Sequence, residues 1–339
     1  DRRLVPTSTA TSPTLTLRRR RGPSVDHVRA VQFIEYGRPD VVHVAEVEEP
    51  HAGPGEIRIA VRASGVSTGE VRIRAGRMRD VVPVVFPYRT GFDAAGVVDE
   101  VGQGVVGVAV GDEVFGMVAP SRRGANADHA VLMAWAPKPG SWSWAEAGGA
   151  AGSVETATRV LDRLAVAAGH TLLVQGASGS VGTVVVQLGK ARGARVIGTA
   201  SEGNHEFLRT LGAEPTSYGP GLVDRIRALA PGGIDAVVDC AGGALPDLIA
   251  AAGGPARVVT IADPAAAVHG VHMSHGAPEG EGIGAADPLA VHGLADAVAL
   301  AAEQRLRVPV AAVFPLTEAA AAHALSETRH APGRIVLLH

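Results

Sequence analysis

The chain of 339 residues is 46% apolar and has a formal net charge of −3, which suits a soluble enzyme with two domains and two hydrophobic cores. This charge argues against a nucleic acid or a membrane surface as the main partner, and no apolar run reaches the roughly 18 residues that span a bilayer. The single cysteine, Cys240, excludes an intramolecular disulfide and a multi-cysteine zinc site, so we expect a cytoplasmic protein in which Cys240 fills a core.

The first 27 residues differ in composition from the rest of the chain. They are rich in Ser, Thr and Pro, contain the run Arg18-Arg19-Arg20-Arg21, and lack the apolar segment of a secretory signal. We expect residues 1–27 to form a disordered tail. Two alternatives stay open: an organellar transit peptide, or translated sequence upstream of a true start near Val28, which the Ala-, Gly-, Arg- and Val-heavy composition favours.

The segment from Arg29 to about Trp144 predicts a mainly-β domain. Short alternations such as Ile57-Arg58-Ile59-Ala60-Val61-Arg62 are typical of strands, and glycine and proline interrupt them often, as at Gly53-Pro54-Gly55. Short strands with frequent turns indicate a β-barrel-like fold.

A glycine-spaced turn follows an apolar strand at residues 173–182. Gly176 permits the tight turn, Gly179 has no Cβ to hold the backbone away from a pyrophosphate, and Gly182 lets the next helix pack closely on the strand. Unpaired N–H groups and the helix dipole favour an anion at the start of that helix. The sequence therefore predicts a dinucleotide site, or alternatively a glycine-rich turn of another α/β protein, at Gly176, Ala177, Ser178, Gly179, Ser180, Val181 and Gly182.

From about Ala145 onward the pattern alternates between strands and helices. Strands are predicted at 171–175, 194–199, 235–239 and 257–261. The helix-length stretches between them predict right-handed βαβ units and a parallel sheet. Residues 262–289 show little periodicity and predict a loop-rich region. Helices at 294–302 and 318–325 and a strand at 333–338 then return the chain toward the first domain.

Several different short motifs follow one another along the chain. They include Arg29-Ala30-Val31-Gln32-Phe33, Asp93-Ala94-Ala95-Gly96-Val97-Val98, Val110-Gly111-Asp112-Glu113-Val114-Phe115-Gly116, Arg209-Thr210-Leu211-Gly212-Ala213 and Gly333-Arg334-Ile335-Val336-Leu337. In this order the chain resembles the zinc-independent branch of the medium-chain dehydrogenase/reductase superfamily, the NADPH quinone oxidoreductase-like enzymes. The resemblance implies an α/β fold, with a Rossmann doubly wound parallel sheet at 151–287 and a GroES-like mainly-β substrate domain at 28–150 and 288–339.

A zinc alcohol dehydrogenase would share this architecture, but its metal ligands are missing. Ser67 stands where the zinc branch has its first cysteine, and Phe92 stands where it has a histidine. His269, His272 and His275 have a spacing of three residues, yet flanking glycines and the lack of a nearby carboxylate favour solvated loop histidines. We expect no metal.

The residues after the second strand of the parallel sheet favour NADPH over NADH. An Asp or Glu there would hold the ribose 2′-hydroxyl of NADH, but Ala200-Ser201 occupy the place. Ser201, Asn204 and His205 can donate hydrogen bonds to a 2′-phosphate, and we expect Glu202 to point to solvent. Capping of the next helix by Ser201 or Asn204 is the alternative.

The resemblance implies further contacts with the cofactor. They are Thr156 near the nicotinamide half, Tyr218 beside the 2′-phosphate, Ala241, Ile261 and Ala262 after later strands, and Arg334 where relatives have lysine. The resemblance also implies a homodimer that pairs edge strands of the parallel sheets, with residues 241–259 providing the edge.

Substrate identity is expected in the loop 67–72, where the chain departs from the pattern of the resembled family. Ser67 and Arg72 can hydrogen-bond a carbonyl oxygen and stabilise the enolate that hydride addition creates. Glu70 belongs to the same loop, and a solvated surface turn is the alternative for Glu70 and Arg72. The run at 81–88 offers either an apolar wall for a stacked acceptor or plain core.

The resemblance thus implies hydride transfer from NADPH to a small molecule, either a quinone or the β-carbon of an α,β-unsaturated carbonyl, without a metal. The proton can come from water, so no catalytic acid is assigned. Two alternatives stay open. One is an enoyl reductase that tailors a polyketide or another secondary metabolite, and the other is a non-catalytic NADPH-binding sensor or structural protein.

Overall fold

The computed structural model describes residues 26–79, 82, 84–276 and 285–339, so most of the expected tail at 1–27 lies outside the described residues. The strands are β1 (His27–Phe33), β2 (His43–Glu48), β3 (Ile57–Val66), β4 (Tyr88–Arg89), β5 (Asp93–Val101), β6 (Glu113–Met117), β7 (His129–Leu132), β8 (Ala134–Pro137), β9 (Thr171–Gln175), β10 (Arg195–Thr199), β11 (Glu214–Thr216), β12 (Ala236–Asp239), β13 (Val258–Thr260), β14 (His272–Met273), β15 (Val310–Pro315) and β16 (Arg334–Leu338). The α-helices are α1 (Thr68–Arg74), α2 (Trp144–Gly148), α3 (Ala151–Arg163), α4 (Ser180–Ala191), α5 (His205–Thr210), α6 (Leu222–Leu229), α7 (Leu245–Ala252), α8 (Gly293–Ala302) and α9 (Ala319–Thr328). In the described part of the chain, none of these helices is long and apolar enough to cross a bilayer.

The first and last parts of the chain form the mainly-β domain. Its larger sheet has the order β15-β16-β3-β5-β6-β8, with β7 also paired to β3. In β3 the side chains of Ile57, Ile59 and Val61 are buried, whereas Arg58 and Arg62 lie on the more exposed face. This period of two buries one face of the sheet. The pairing of β16 with β3 confirms that the end of the chain returns to the first domain.

The second part forms a parallel sheet with the order β11-β10-β9-β12-β13-β14, and each neighbouring pair is parallel. Numbered along the sheet's own strands, this is the 3-2-1-4-5-6 order of the doubly wound dinucleotide-binding fold. Leu172 joins a core that contains residues of α3 and α4, whereas Leu173 joins a core that contains residues of α6 and α7. The sheet is therefore covered on both faces, as its apolar strands predict.

The edge of this sheet differs from the sequence prediction. Residues 241–259 do not provide it, because β13 is paired with β12 on one side and with β14 on the other, where Val259 lies opposite His272. Within the described residues the edge strands are β11 and β14. Strand β14 was not predicted, because a strand of two residues in a Gly- and His-rich segment shows no periodic pattern. The dimer itself stays a prediction.

Helix α8 lies in the last segment of the chain but packs against α3. A Cβ at Gly293 would approach the Thr158 Oγ1 to 2.2 Å, so the two helices are in close contact there. Leu294 and Ala297 join the same core as Leu172. Residues 288–339 thus contribute to both domains, and the domain limits stay a prediction.

Candidate active site in the cleft between the domains

A cleft lies where α1 and the start of β16 face α4 and the loops after β12 and β13. It consists of a larger cavity of about 570 Å³ and a smaller one of about 370 Å³. Thr68, Arg72, Gly179, Ser180 and Cys240 line both cavities, so the two adjoin.

The predicted glycine turn stands at the junction of the two cavities. Gly176 has a φ of +74°, which requires glycine for the tight turn. A Cβ at Gly182 would lie 2.3 Å from the Gly176 carbonyl oxygen, so only glycine allows α4 to pack this closely. Gly179 is the N-cap residue of α4 and, having no side chain, leaves the first N–H groups of the helix open to an anion.

Neighbouring segments hold this turn in place. The Gly333 N–H donates to the Ser178 carbonyl oxygen at 3.0 Å, which ties the segment before β16 to the turn. The Gly176 N–H donates to Thr199 Oγ1 at 3.0 Å. Ala177 is fully buried and its N–H donates to the Thr199 carbonyl oxygen, so it supports the turn from behind and does not line either cavity, contrary to its expected place at the cofactor.

The residues expected at a 2′-phosphate fall into two groups. Ser201, Asn204 and Tyr218 line the larger cavity, and neither Ser201 nor Asn204 makes a side-chain cap to the helix that follows it, so the capping alternative is not observed. His205 does not line the cavity, and its Nε2 lies 3.4 Å from the Ala200 carbonyl oxygen, so its role at a 2′-phosphate stays a prediction. Glu202 is exposed, as expected.

Two cations line the larger cavity without an ion-pair partner among the described residues. Arg72 Nη1 donates to the Ala262 carbonyl oxygen at 2.9 Å, and this bond spans the cleft. Burial lowers the pKa of Arg72, and the charges of Arg329 and Arg77 lower it further. Arg329 follows α9 and is exposed. Two neighbouring guanidinium groups without a salt bridge favour an anionic ligand. Sequence reasoning missed Arg329, because no local pattern marks its position at the cavity.

The smaller cavity is mainly apolar. Of the residues predicted from the sequence, it is lined by Ser67, Arg72, Thr156, Gly179, Ser180, Val181, Gly182, Ile261, Ala262 and Arg334. Apolar lining residues include Met78, Phe92, Met117 and Leu289. From the run at 81–88 the described Val82 also lines it, whereas Tyr88 is buried in a stack on Phe33 and belongs to the core.

Three predicted residues already have partners in the protein. Ser67 Oγ accepts from the Gly69 N–H at 3.2 Å and caps α1. The Ala241 N–H donates to Asp239 Oδ1 at 3.0 Å, so Ala241 offers the larger cavity no free backbone donor. Thr156 Oγ1 donates to Glu155 Oε2 at 3.2 Å.

Arg334 forms a buried ion pair instead of offering a free positive charge. Its Nη2 lies 2.9 Å from both carboxylate oxygens of Asp93, and the Gly152 N–H donates to Asp93 Oδ2 at 3.0 Å. A Cβ at Gly65 would collide with Arg334 Nη2 at 2.0 Å. The pair therefore connects β5, β16 and the start of α3 in the wall of the cleft, and the contact of Arg334 with the cofactor stays a prediction.

Glu70 is neither a solvated residue nor part of the cleft lining. It is fully buried, and its Oε1 accepts from the Gly91 N–H at 2.5 Å, while Oε2 has no hydrogen-bond partner among the described residues. Burial raises the pKa of Glu70 to about 7, although the Gly91 N–H and the charge of Arg123 act in the opposite direction. No local pattern predicts this burial, since an acidic residue in the first turn of a helix is ordinarily exposed.

We expect Glu70→Gln to stabilise the protein at alkaline pH. Because the pKa is raised on folding from 4.5 to about 7, the wild type has its full stability below pH 4.5 and loses it as the pH rises through 7. The variant lacks this loss and should be more stable by up to about 3 kcal/mol at pH 8, with little difference at pH 4.5. Urea unfolding at the two pH values measures the difference, and an equal effect at both would contradict the assignment.

A third depression, of about 900 Å³, lies between α3 and the β13–β14 edge. It does not include the glycine turn, and its charges are paired: Arg163 with Asp287 at 3.2 Å and His292 with Asp162 at 3.1 Å. His272 lies in the same depression, 3.0 Å from both oxygens of Asp287, and is thus a bonded strand residue rather than a solvated loop histidine. Across the described ranges, no three His, Cys, Asp or Glu side chains come together to hold a metal ion.

A mainly-β domain, a sheet of the order 3-2-1-4-5-6 and a glycine turn in the cleft between them define a two-domain fold of the dinucleotide-binding class. Two family models match the chain in that order: an alcohol dehydrogenase GroES-like domain over residues 53–167 and a zinc-binding dehydrogenase domain over residues 211–337. The chain belongs to the medium-chain dehydrogenase/reductase superfamily and is similar to its quinone oxidoreductase-like members.

Individual proteins are similar to parts of this chain in sequence. The chain is 31% identical to the 2-methylene-furan-3-one reductase of Solanum lycopersicum over 55% of its own length and 51% of that protein. It is 37% identical to the spectinabilin polyketide synthase system protein NorB of Streptomyces orinoci over 48% of its length, but only 7% of that protein. The match thus spans about half of the first relative and a small part of the second.

Solved structures match over more of the chain. The quinone oxidoreductase from Coxiella burnetii superimposes with a TM-score of 0.75 at 25% identity, covering 93% of this chain and 100% of that one. An NAD-dependent alcohol dehydrogenase superimposes with a TM-score of 0.76 at 29% identity, covering 92% and 99%.

Proposed function

We propose that the protein is an NADPH-dependent reductase that transfers hydride to a quinone or to the C=C bond of an α,β-unsaturated carbonyl, without a metal. The observation that carries the proposal is the cleft itself. An open helix N-terminus and two cations without ion-pair partners in the described residues, Arg72 and Arg329, lie beside a mainly apolar cavity of about 370 Å³.

The larger cavity suits the phosphates of the cofactor. Gly179 and Ser180 would hold the pyrophosphate at the start of α4, with Arg72 beside them. Ser201, Asn204, Tyr218 and Arg329 would surround the 2′-phosphate, and no carboxylate stands at the end of β10 to repel it. The bound cofactor supplies the hydride, while the protein orients it.

The smaller cavity suits the nicotinamide ring and an acceptor stacked on it. Thr156, Ile261 and Ala262 line it and would contact the nicotinamide half of the cofactor. The mainly apolar walls exclude water and suit a planar, electron-poor acceptor. Arg72 can polarise its carbonyl oxygen as negative charge develops there.

Metal-independence is supported by the chemistry of the lining. Ser67 and Phe92, at the two places where zinc relatives have ligands, both line the smaller cavity, and neither offers a thiolate or an imidazole. The similarity to NorB favours enoyl reduction in polyketide synthesis as a second candidate, which keeps the same cofactor chemistry and changes only the acceptor.

The test is NADPH oxidation by a panel of ortho- and para-quinones, alkenals, enones and enoyl thioesters, with and without a metal chelator. We expect turnover of at least one quinone or enone, unchanged by the chelator. Turnover of enoyl thioesters alone would select the second candidate. NADPH binding without oxidation by any acceptor would favour a sensor or structural protein, and loss of activity on chelation would overturn metal-independence.

Arg329 is expected to set the preference for NADPH. Because a 2′-phosphate adds charge that NADH lacks, Arg329→Ser should weaken NADPH binding by about tenfold, or about 1.4 kcal/mol, and leave NADH binding unchanged. Fluorescence titration with the two cofactors measures this. Arg305→Ser is the matched control, since Arg305 is exposed, pairs with Glu303 at 2.8 Å and lies outside both cavities. Equal losses for NADPH and NADH would assign Arg329 to another part of the cofactor.

A further inference from the structure

Arg123 is a charged residue of the smaller cavity that the proposed hydride transfer does not use. It lines the smaller cavity, in which we place the acceptor, but not the larger one, in which we place the 2′-phosphate. It is therefore a candidate for contact with the acceptor.

The guanidinium of Arg123 lacks a salt bridge within the described ranges. Nε donates to the Pro120 carbonyl oxygen at 3.1 Å, whereas Nη1 is buried and has no hydrogen-bond partner in this part of the chain. Burial lowers the pKa of Arg123, and the charge of Glu70 opposes this without forming an ion pair with it. Arg123 is half-buried, and a partly desolvated cation without a salt bridge is stabilised when an anionic ligand binds beside it.

Two aromatic rings fix the plane of this group. The Arg123 guanidinium carbon lies 4.4 Å from the centre of the Tyr88 ring and 5.5 Å from that of the Phe92 ring. Phe92 also lines the cavity. Because Nε is bonded to the Pro120 carbonyl oxygen, the N–H groups on the Nη side of the guanidinium are the ones from which a carboxylate can accept a charge-assisted bond.

The backbone of Arg123 is also strained. Its φ of +55° lies in the left-handed region, which costs a non-glycine residue roughly 1–2 kcal/mol. Such strain is commonly retained where it holds a side chain at a ligand.

We propose that Arg123 binds a carboxylate of the acceptor, so that the physiological substrate is an unsaturated carbonyl compound or quinone that carries an acidic group. This inference rests on the proposed function for the place of the acceptor. It adds a cation without a salt bridge to a mainly apolar wall that already holds Arg72 and the paired Arg334, and such a cation selects a small amphiphilic acid over its neutral analogue.

The test uses binding of two unreactive probes that differ only in the charged group. β-Benzoylpropionate carries a carboxylate where butyrophenone carries a methyl group, and both retain the ketone. Calorimetry in the presence of saturating NADP⁺ should show the acid binding at least about tenfold more tightly to the wild type. Arg123→Gln should bring the acid to within about twofold of the ketone while leaving the affinity for the ketone unchanged.

Matched variants separate this role from folding. Arg122→Gln should keep the wild-type preference, because Arg122 is exposed and pairs with Glu56 at 2.7 Å. Arg123→Lys keeps the charge but loses the planar fork, so it should retain part of the preference even if Arg123→Gln binds NADP⁺ poorly. Equal binding of acid and ketone to the wild type, or a preference that persists in Arg123→Gln, would overturn the proposal. Since no probe is turned over, the outcome does not depend on whether the protein reduces quinones or enones.

Discussion

Replacing Gly179 with alanine is expected to weaken NADPH binding by at least about tenfold, or about 1.4 kcal/mol, while the protein remains folded. The φ and ψ of Gly179 are −77° and 174°, which any residue adopts, and the nearest atom to an added Cβ is the Gly176 carbonyl oxygen at 3.4 Å. The methyl group is therefore tolerated by the protein and lies where the pyrophosphate must approach. Fluorescence titration with NADPH measures the loss, and thermal unfolding without cofactor checks the fold.

Gly140→Ala is the control for this prediction. An added Cβ at Gly140 meets no atom within 4 Å, and this glycine lies outside both cavities, so cofactor affinity should be unchanged. Gly182→Ala should behave differently from both, since its Cβ would collide with backbone at 2.3 Å and destabilise the fold itself. Wild-type affinity in a folded Gly179→Ala variant would place the pyrophosphate elsewhere.

Asp93→Ala is expected to destabilise the protein by about 3–5 kcal/mol, the usual cost of leaving a buried charge without its partner. Asp93 and Arg334 have side chains only 1% and 5% exposed, and Asp93 also accepts from the Gly152 N–H. Urea unfolding without cofactor, at neutral pH, measures the loss.

A double variant separates the ion pair from the packing around it. Asp93→Ala combined with Arg334→Met should be more stable than Asp93→Ala alone, because the unpaired guanidinium is removed together with its partner. Another partly buried arginine, Arg58, cannot serve as a control for this ion pair, because it contacts several carboxylates and its replacement would break more than one pair. A loss of under about 1 kcal/mol in Asp93→Ala would mean that water replaces the carboxylate and that the pair does not hold the cleft wall.

The parts of the fold that the sequence predicts are those encoded by local patterns. The strands β9, β10, β12 and β13 lie within a residue or two of their predicted ranges, because each is a short apolar run bounded by turns. The roles of Gly176 and Gly182 follow from backbone geometry within a few residues, and the structure agrees with both.

The parts that the sequence does not predict depend on contacts between distant residues. Arg334 and Asp93 are 241 positions apart, and no local sequence pattern near either residue predicts that they pair. The burial of Glu70 and the place of Arg123 in the smaller cavity arise from packing of the first domain, not from spacing in the chain. His205 was expected at the cofactor from its position after β10, but the orientation of a single side chain is not encoded in that spacing.

One matching family model is described as a zinc-binding dehydrogenase. The atom that receives the hydride therefore distinguishes metal-assisted carbonyl reduction from the metal-independent reduction that we propose. Metal activation polarises a carbonyl and leads to an alcohol, whereas a metal-free apolar cleft favours addition to a conjugated C=C bond.

The most direct measurement is product analysis by NMR after reduction of phenyl vinyl ketone with NADPH that carries deuterium at the transferred position, in the presence of a chelator. We expect the saturated ketone with deuterium on its β-carbon. If this enone is not a substrate, we expect a quinone to be reduced to a hydroquinone under the same conditions. Deuterium on the carbonyl carbon of an alcohol, or no oxidation of NADPH by any enone or quinone, would contradict the proposed function.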